Sequence, residues 1–192
     1  SDHIAGLQQL LKRFDIPVYT KQGTWREIQD KLIVPKNQLI ELTKGSLTLG
    51  NLIVEPFAVS HDAADPIGIN VFAGKDKATV VTDTGVISDS ILRRMDDTTL
   101  LVLEANYDPH MLRFGPYQPF LKQRVASDEG HLSNEMAAQA LLMMNRPDFM
   151  QVILAHRSEI NNNAVLVTQT IGKMLVDGGV RIGPEMKLQH GQ

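Results

Sequence analysis

The chain has 192 residues, 43% of them apolar, and a formal net charge of −3. That length can bury a sizeable core in one domain, and the charge excludes the overall basic signature of a nucleic-acid binder while leaving room for a local basic groove. The absence of cysteine excludes disulfides and thiolate metal sites, no apolar run approaches the ~18–20 residues of a transmembrane helix, and a disulfide-free chain fits the cytoplasm.

In chain order, residues 3–14 carry Leu7, Leu10, Leu11 and Phe14 at helical spacing. "IPVYT" is a short β-rich run, and "GTWREIQDKL" returns to helix through Trp25, Ile28 and Leu32. "QLIEL" and "NLIVEPFAVS" are predicted strands flanking a glycine-containing turn at "TKGSLTLGN". "IGINVFAG" and "KATVVTD" form a hairpin across "GKDK". "VISDSILRRMDD" is helical, and "TTLLVLEAN" has the continuous apolar run of a strand buried on both faces. "QPFLKQRV" and "SNEMAAQALLMMNRPD" are helices, the second capped by Ser133. "FMQVILAH" is a buried strand, "NNNAVLVTQTIGKMLVDGG" a long helix ended by Gly178 and Gly179, and "RIGPEMKL" a last strand. Strands followed by alternating strand and helix predict an α/β layered domain with mixed sheets.

Four stretches share one feature, a strand or helix start that hands over to His or Asp: "SDHIAG", "FAVSHDAADPIG", "VVTDTG" and "VILAHRSEINNN". Ligands that must converge need rigid backbone behind them, and strand ends supply it. Imidazole and carboxylate donors suit zinc, manganese or iron. Each stretch alone has a plainer reading. Asp83 can cap its own turn, His61 and His156 can be satisfied loop histidines, and Asp2 can be an N-cap with His3 beside it.

The four in this order resemble the metallo-β-lactamase-fold hydrolases. That family opens its metal site with His-x-His-x-Asp-His at a strand end, and "SDHIAGL" matches the last part, with Asp2 and His3 as the Asp-His pair. On this resemblance two leading histidines precede Ser1, and the chain as given lacks the first strands of an αββα sandwich of mixed sheets, forming one partial domain over 1–192. His61 fits the next histidine motif, Asp83 the bridging aspartate and His156 the final histidine; the 22-residue step from His61 to Asp83 is like that of the ribonuclease J-type nucleases. "SHDAADPIG", "TDTG", "LEANYDPHML", "GHLSNE" and "AHRSEINNN" are similar to the small nuclease-like WalJ (YycJ) branch. One departure falls at Tyr107, where some relatives carry histidine.

The resemblance implies two divalent ions, zinc or manganese with iron as an option. Asp2, His3 and His156 would hold one, His61 and the two upstream histidines the other, with Asp83 between them. Such a pair activates water for attack on a phosphodiester. Asp62, Asp65, Glu104 and Ser60 are all candidates to orient the imidazoles from behind. His131 precedes a helix start and either serves the chemistry, protonating a leaving oxygen or gripping a phosphate, or only packs its loop. "NNN" at 161–163 reads as a loop and cap cluster, with one Asn able to hold the loop behind His156, and Asn106 and Asp108 point to the same edge. His110 reads as a surface residue. "MLRFGPYQPFLKQR" places Arg113, Lys122 and Arg124 among Phe114, Tyr117 and Phe120, a pattern that suits a single-stranded nucleic-acid track or an ordinary amphipathic helix.

The resulting expectation is a metal-dependent phosphodiester hydrolase acting on DNA as an exonuclease, with Asp83 and His131 in the chemistry and Arg113, Lys122 and Arg124 on the substrate. The alternatives are a thioester, lactone or lactam hydrolase on the same fold, or a non-catalytic fragment that serves as a scaffold.

Overall fold

The computed structural model describes residues 4–35, 37–43 and 45–191. Two compact units emerge from the chain, one of residues 1–45 with 63–65 and one of residues 46–62 with 66–192.

In the first unit, α1 (Leu7–Arg13) precedes β1 (Val18–Thr20), α2 (Gln22–Ile28) and β2 (Leu39–Glu41). β1 and β2 pair in parallel, Val18 opposite Leu39. Thr24 donates its hydroxyl to the Asp65 carbonyl and Gly23 N–H reaches the Asp65 carboxylate.

The second unit is a seven-stranded mixed sheet in sequential order: β3 (Leu47–Leu49), β4 (Leu52–Ala58), β5 (Ile67–Ala73), β6 (Asp76–Val81), β7 (Leu100–Glu104), β8 (Met150–Ala155) and β9 (Met186–His190). β3 to β6 are antiparallel neighbours, and β6 to β9 are parallel. The β5–β6 hairpin closes over Gly74–Lys75 with Gly74 at φ +62, the left-handed conformation that glycine takes at no steric cost. The parallel strands need crossovers, and helices supply them. α3 (Asp89–Met95) joins β6 to β7; α4 (Pro109–Phe114), α5 (Pro119–Val125) and α6 (Asn134–Met143) lie between β7 and β8; α7 (Ala164–Asp177) leads to β9.

The core lies on one face of the sheet. Leu101, Leu103, Val152 and Leu154 are buried, in one cluster with Met95 of α3, Ala137 and Leu141 of α6, and Ile171 and Leu175 of α7. The alternate residues Leu100, Val102 and Ile153 are only half-buried. "TTLLVLEAN" is therefore sealed on one face, not two. Two further expectations change. The stretch expected as a turn contains β3, because Leu47 and Leu49 alternate in register with β4. Residues 109–114, given no element from sequence, form α4, capped by the Asp108 side chain on Met111 N–H with Pro109 in the first turn.

This topology positions the site. β6, β7 and β8 are parallel, and β4 runs the same way, two antiparallel steps from β6. Their C-terminal ends share one edge, the edge where open α/β sheets place ligands.

Candidate metal centre

Each of these four strands delivers a polar side chain at its end: His61 after β4, Asp83 after β6, Glu104 closing β7 and His156 after β8. His131 joins them from the loop before α6. Asp83 and His156 have left-handed backbones, φ +54 and +52. Such conformations cost about 1–3 kcal/mol each in a non-glycine residue and persist only where the surroundings enforce them. Here the enforcement is visible. Gly85 N–H donates to the Ser60 carbonyl at 3.0 Å and Ser60 N–H to Thr84 Oγ1 at 3.2 Å, lacing the loop after β6 to the loop after β4. Asn106 Nδ2 donates to the His156 carbonyl at 2.7 Å. Gly85 must be glycine, since a Cβ there would stand 2.1 Å from the Ser127 carbonyl oxygen.

The three imidazoles are held in the same way. His61 Nδ1 lies 3.0 Å from the Gly130 carbonyl. His131 Nδ1 and His156 Nδ1 lie 2.7 and 2.8 Å from the same oxygen, Glu104 Oε1. A carbonyl can only accept, so His61 Nδ1 carries the proton and its Nε2 keeps a lone pair; an ionised Glu104 imposes the same tautomer on the other two. His61 Nε2 is 3.6 Å and His156 Nε2 3.5 Å from Asp83 Oδ1. Ligands held about 2.1 Å from a tetrahedral ion stand about 3.4 Å apart, so the donor set and its spacing fit a divalent metal. The His131 ring neighbours both of the others, with centroids 5.1 Å from His61 and 5.3 Å from His156. His61, Asp83 and His131 each offer a ligand atom within 4.8 Å of the others.

Glu104 is of ligand type too, but its oxygens are engaged. It is fully buried. Oε1 serves two imidazoles, and Oε2 accepts from Thr84 N–H at 3.1 Å and Leu132 N–H at 3.4 Å. Burial pushes its carboxyl up, but the hydrogen bonds of His131 and His156 more than offset this and hold it below the ordinary carboxylate value. Glu104 is the acceptor behind the histidines. Of the other three candidates for that place, Asp65 bonds Gly23, Ser60 offers its backbone to Gly85, and Asp62 receives a two-pronged hydrogen bond from Arg124. That guanidinium holds the Asp62 carboxyl below its usual value.

The structure thus gathers His61, Asp83, His131 and His156. Asp2 and His3 lie outside the described residues. Lys122 Nζ donates to the Arg113 carbonyl at 2.7 Å, and the Arg113 guanidinium stands 5.3 Å over the Phe114 ring. Tyr107 is buried with Leu112 and Val125, so its side chain packs. His110 is exposed, 4.6 Å from the Phe114 ring. Asn163 caps α7, while Asn162 Nδ2 ties the carbonyls of Ala105 and Asn106 to Asn134. The joint use of Glu104 by two histidines was legible in part, since a carboxylate closing a buried apolar strand must find partners. The Gly130 carbonyl left no side-chain signal.

A mixed α/β sheet whose aligned strand ends present histidines and aspartate at metal-ligand spacing defines a metal-binding protein of the metallo-β-lactamase type. The chain belongs to that family: residues 1–156 match the Beta-lactamase superfamily domain. It is 34% identical to exodeoxyribonuclease YycJ of Bacillus anthracis over 98% of this chain and 72% of that protein. It is 31% identical to exodeoxyribonuclease WalJ of Streptococcus pneumoniae over 98% of this chain and 71% of that one. The metallo-β-lactamase fold protein YhfI of Bacillus subtilis superposes with a TM-score of 0.68 at 16% identity, covering 97% of this chain and 70% of YhfI. Among the described residues no helix is long and apolar enough to cross a membrane.

Proposed function

We propose that the chain is a metal-dependent hydrolase that cleaves phosphodiester bonds of DNA as an exonuclease in the cytoplasm. The relatives named exodeoxyribonucleases supply the substrate class. The observation that carries the chemistry is the convergence of His61, Asp83, His131 and His156 with all three Nδ1 atoms already engaged.

His61, Asp83 and His156, joined on the family pattern by Asp2 and His3, would hold two divalent ions, zinc or manganese with iron as an option, and Asp83 would be shared between them. Ions bound there would lower the pKa of water and neutralise charge that builds on the phosphate oxygens. Hydrolysis forms a P–O bond to water and breaks the P–O bond to the departing sugar oxygen, which takes up a proton. His131 would supply that proton from Nε2 as general acid, entering the step with both ring nitrogens protonated. Glu104, hydrogen-bonded to His131 Nδ1, fixes the orientation of the ring. Arg113, Lys122 and Arg124 lend positive charge to the phosphates of the strand.

The test is end-labelled DNA incubated with the purified protein before and after chelation. Release of nucleotides from an end, lost on chelation and restored by zinc or manganese, is expected. Hydrolysis of a thioester with no action on DNA or on a bis-aryl phosphodiester would overturn the reading.

A further inference from the structure

We infer that Phe114 and Phe120, on the α4–α5 segment, form a stacking platform for the unpaired bases of a DNA strand entering the site. This deepens the proposed function and rests on it. Phe114 is 67% exposed and Phe120 71%. A lone exposed phenylalanine is ordinary, but these two stand six positions apart in a segment of distinctive charge. From Pro109 to Ser127 there are three Lys or Arg residues and no Asp or Glu, in a chain of net charge −3. A polyanion complements such a segment; an apolar partner surface gains nothing from its charge.

The segment is also tied to the metal centre. Arg124 forks onto Asp62, whose Oδ1 lies 3.5 Å from His61 Nε2. His131 N–H donates to the Val125 carbonyl at 2.9 Å. Phe120 stands four residues before Arg124 on α5, so the two share a helix face about 6 Å apart along its axis. Lys122, bonded to the Arg113 carbonyl, fastens α5 to the end of α4 beside Phe114. Tyr107 is buried with Leu112 and Val125, and Tyr117 is partly buried against that cluster, which leaves the two phenylalanines as the most exposed aromatic rings of the α4–α5 segment. Paired bases hide their faces, so an unpaired strand is the form that such rings recognise.

The experiment compares wild type with Phe114→Ala/Phe120→Ala, Phe114→Leu/Phe120→Leu and Phe114→Trp/Phe120→Trp. One readout is kcat/KM on a single-stranded oligonucleotide relative to a bis-aryl phosphodiester. The other is fluorescence quenching of 2-aminopurine placed near the strand end, which needs binding but not turnover. The Ala pair should lower the DNA-to-small-substrate ratio about tenfold or more and weaken the quenching, with Trp restoring both and Leu neither. An unchanged ratio and quenching in the Ala pair, or full recovery by Leu, would overturn the platform. Failure of wild type on both substrates, with quenching intact, would instead sink the hydrolase reading and leave the platform standing.

Discussion

Glu104 is fully buried and accepts four N–H groups, while Phe120, on a helix of the same unit, exposes 71% of its surface. The strand-end cluster and the α4–α5 segment therefore hold side chains in opposite ways. In the cluster each imidazole is pinned from behind, and two residues keep left-handed backbones. In the segment the charged groups bond backbone or partner at the rim, and the Phe114 and Phe120 rings are exposed. Groups that take part in bond breaking gain from fixed position, since misplacement by about 1 Å can cost about a hundredfold in rate. Groups that recognise a flexible strand gain from access.

Substitutions should separate the two regions by size of effect. Asp83→Ala should abolish hydrolysis of DNA and of a small phosphodiester and strip bound metal; full activity in that variant would remove Asp83 from the centre. His131→Ala should lower kcat about 10²–10⁴-fold with metal content retained, read by elemental analysis beside kinetics. Equal loss of metal and turnover would make His131 a ligand. Glu104→Gln should cost about 10–100-fold in metal affinity or activity, because it replaces an acceptor shared by two imidazoles with a group that carries a donor. The Phe114 and Phe120 variants should act on DNA selectively. The smallest effect belongs to Arg124→Ala: Arg124 is exposed, so losing its pair with Asp62 should cost less than about 1 kcal/mol in a denaturant titration. A larger loss would mean that the segment is as firmly built as the cluster.

Much of the fold was legible. The "IGINVFAG" and "KATVVTD" hairpin, the buried "FMQVILAH" strand and the capped helix after Ser133 all form where periodicity places them. β3 escaped because three residues set no period of their own; pairing with β4 decides them. α4 escaped although Asp108 and Pro109 are a start signal, since six residues give no full amphipathic repeat. In the site, resemblance singled out His61, Asp83 and His156, and the structure brings them together. Charge on Lys122 and Arg124 was visible, but a sequence does not say that one ammonium bonds a backbone carbonyl and the other cation forks onto Asp62. Backbone acceptors such as the Gly130 carbonyl have no sequence mark at all.

The most direct test of the metal centre is calorimetric titration of the chelator-stripped protein with manganese and with zinc, wild type beside Asp83→Ala and His131→Ala. Saturable binding in wild type and in His131→Ala, with heat lost in Asp83→Ala, is the predicted result. Identical binding in wild type and Asp83→Ala, or no binding in wild type, would contradict the assignment of the strand-end cluster as a metal centre.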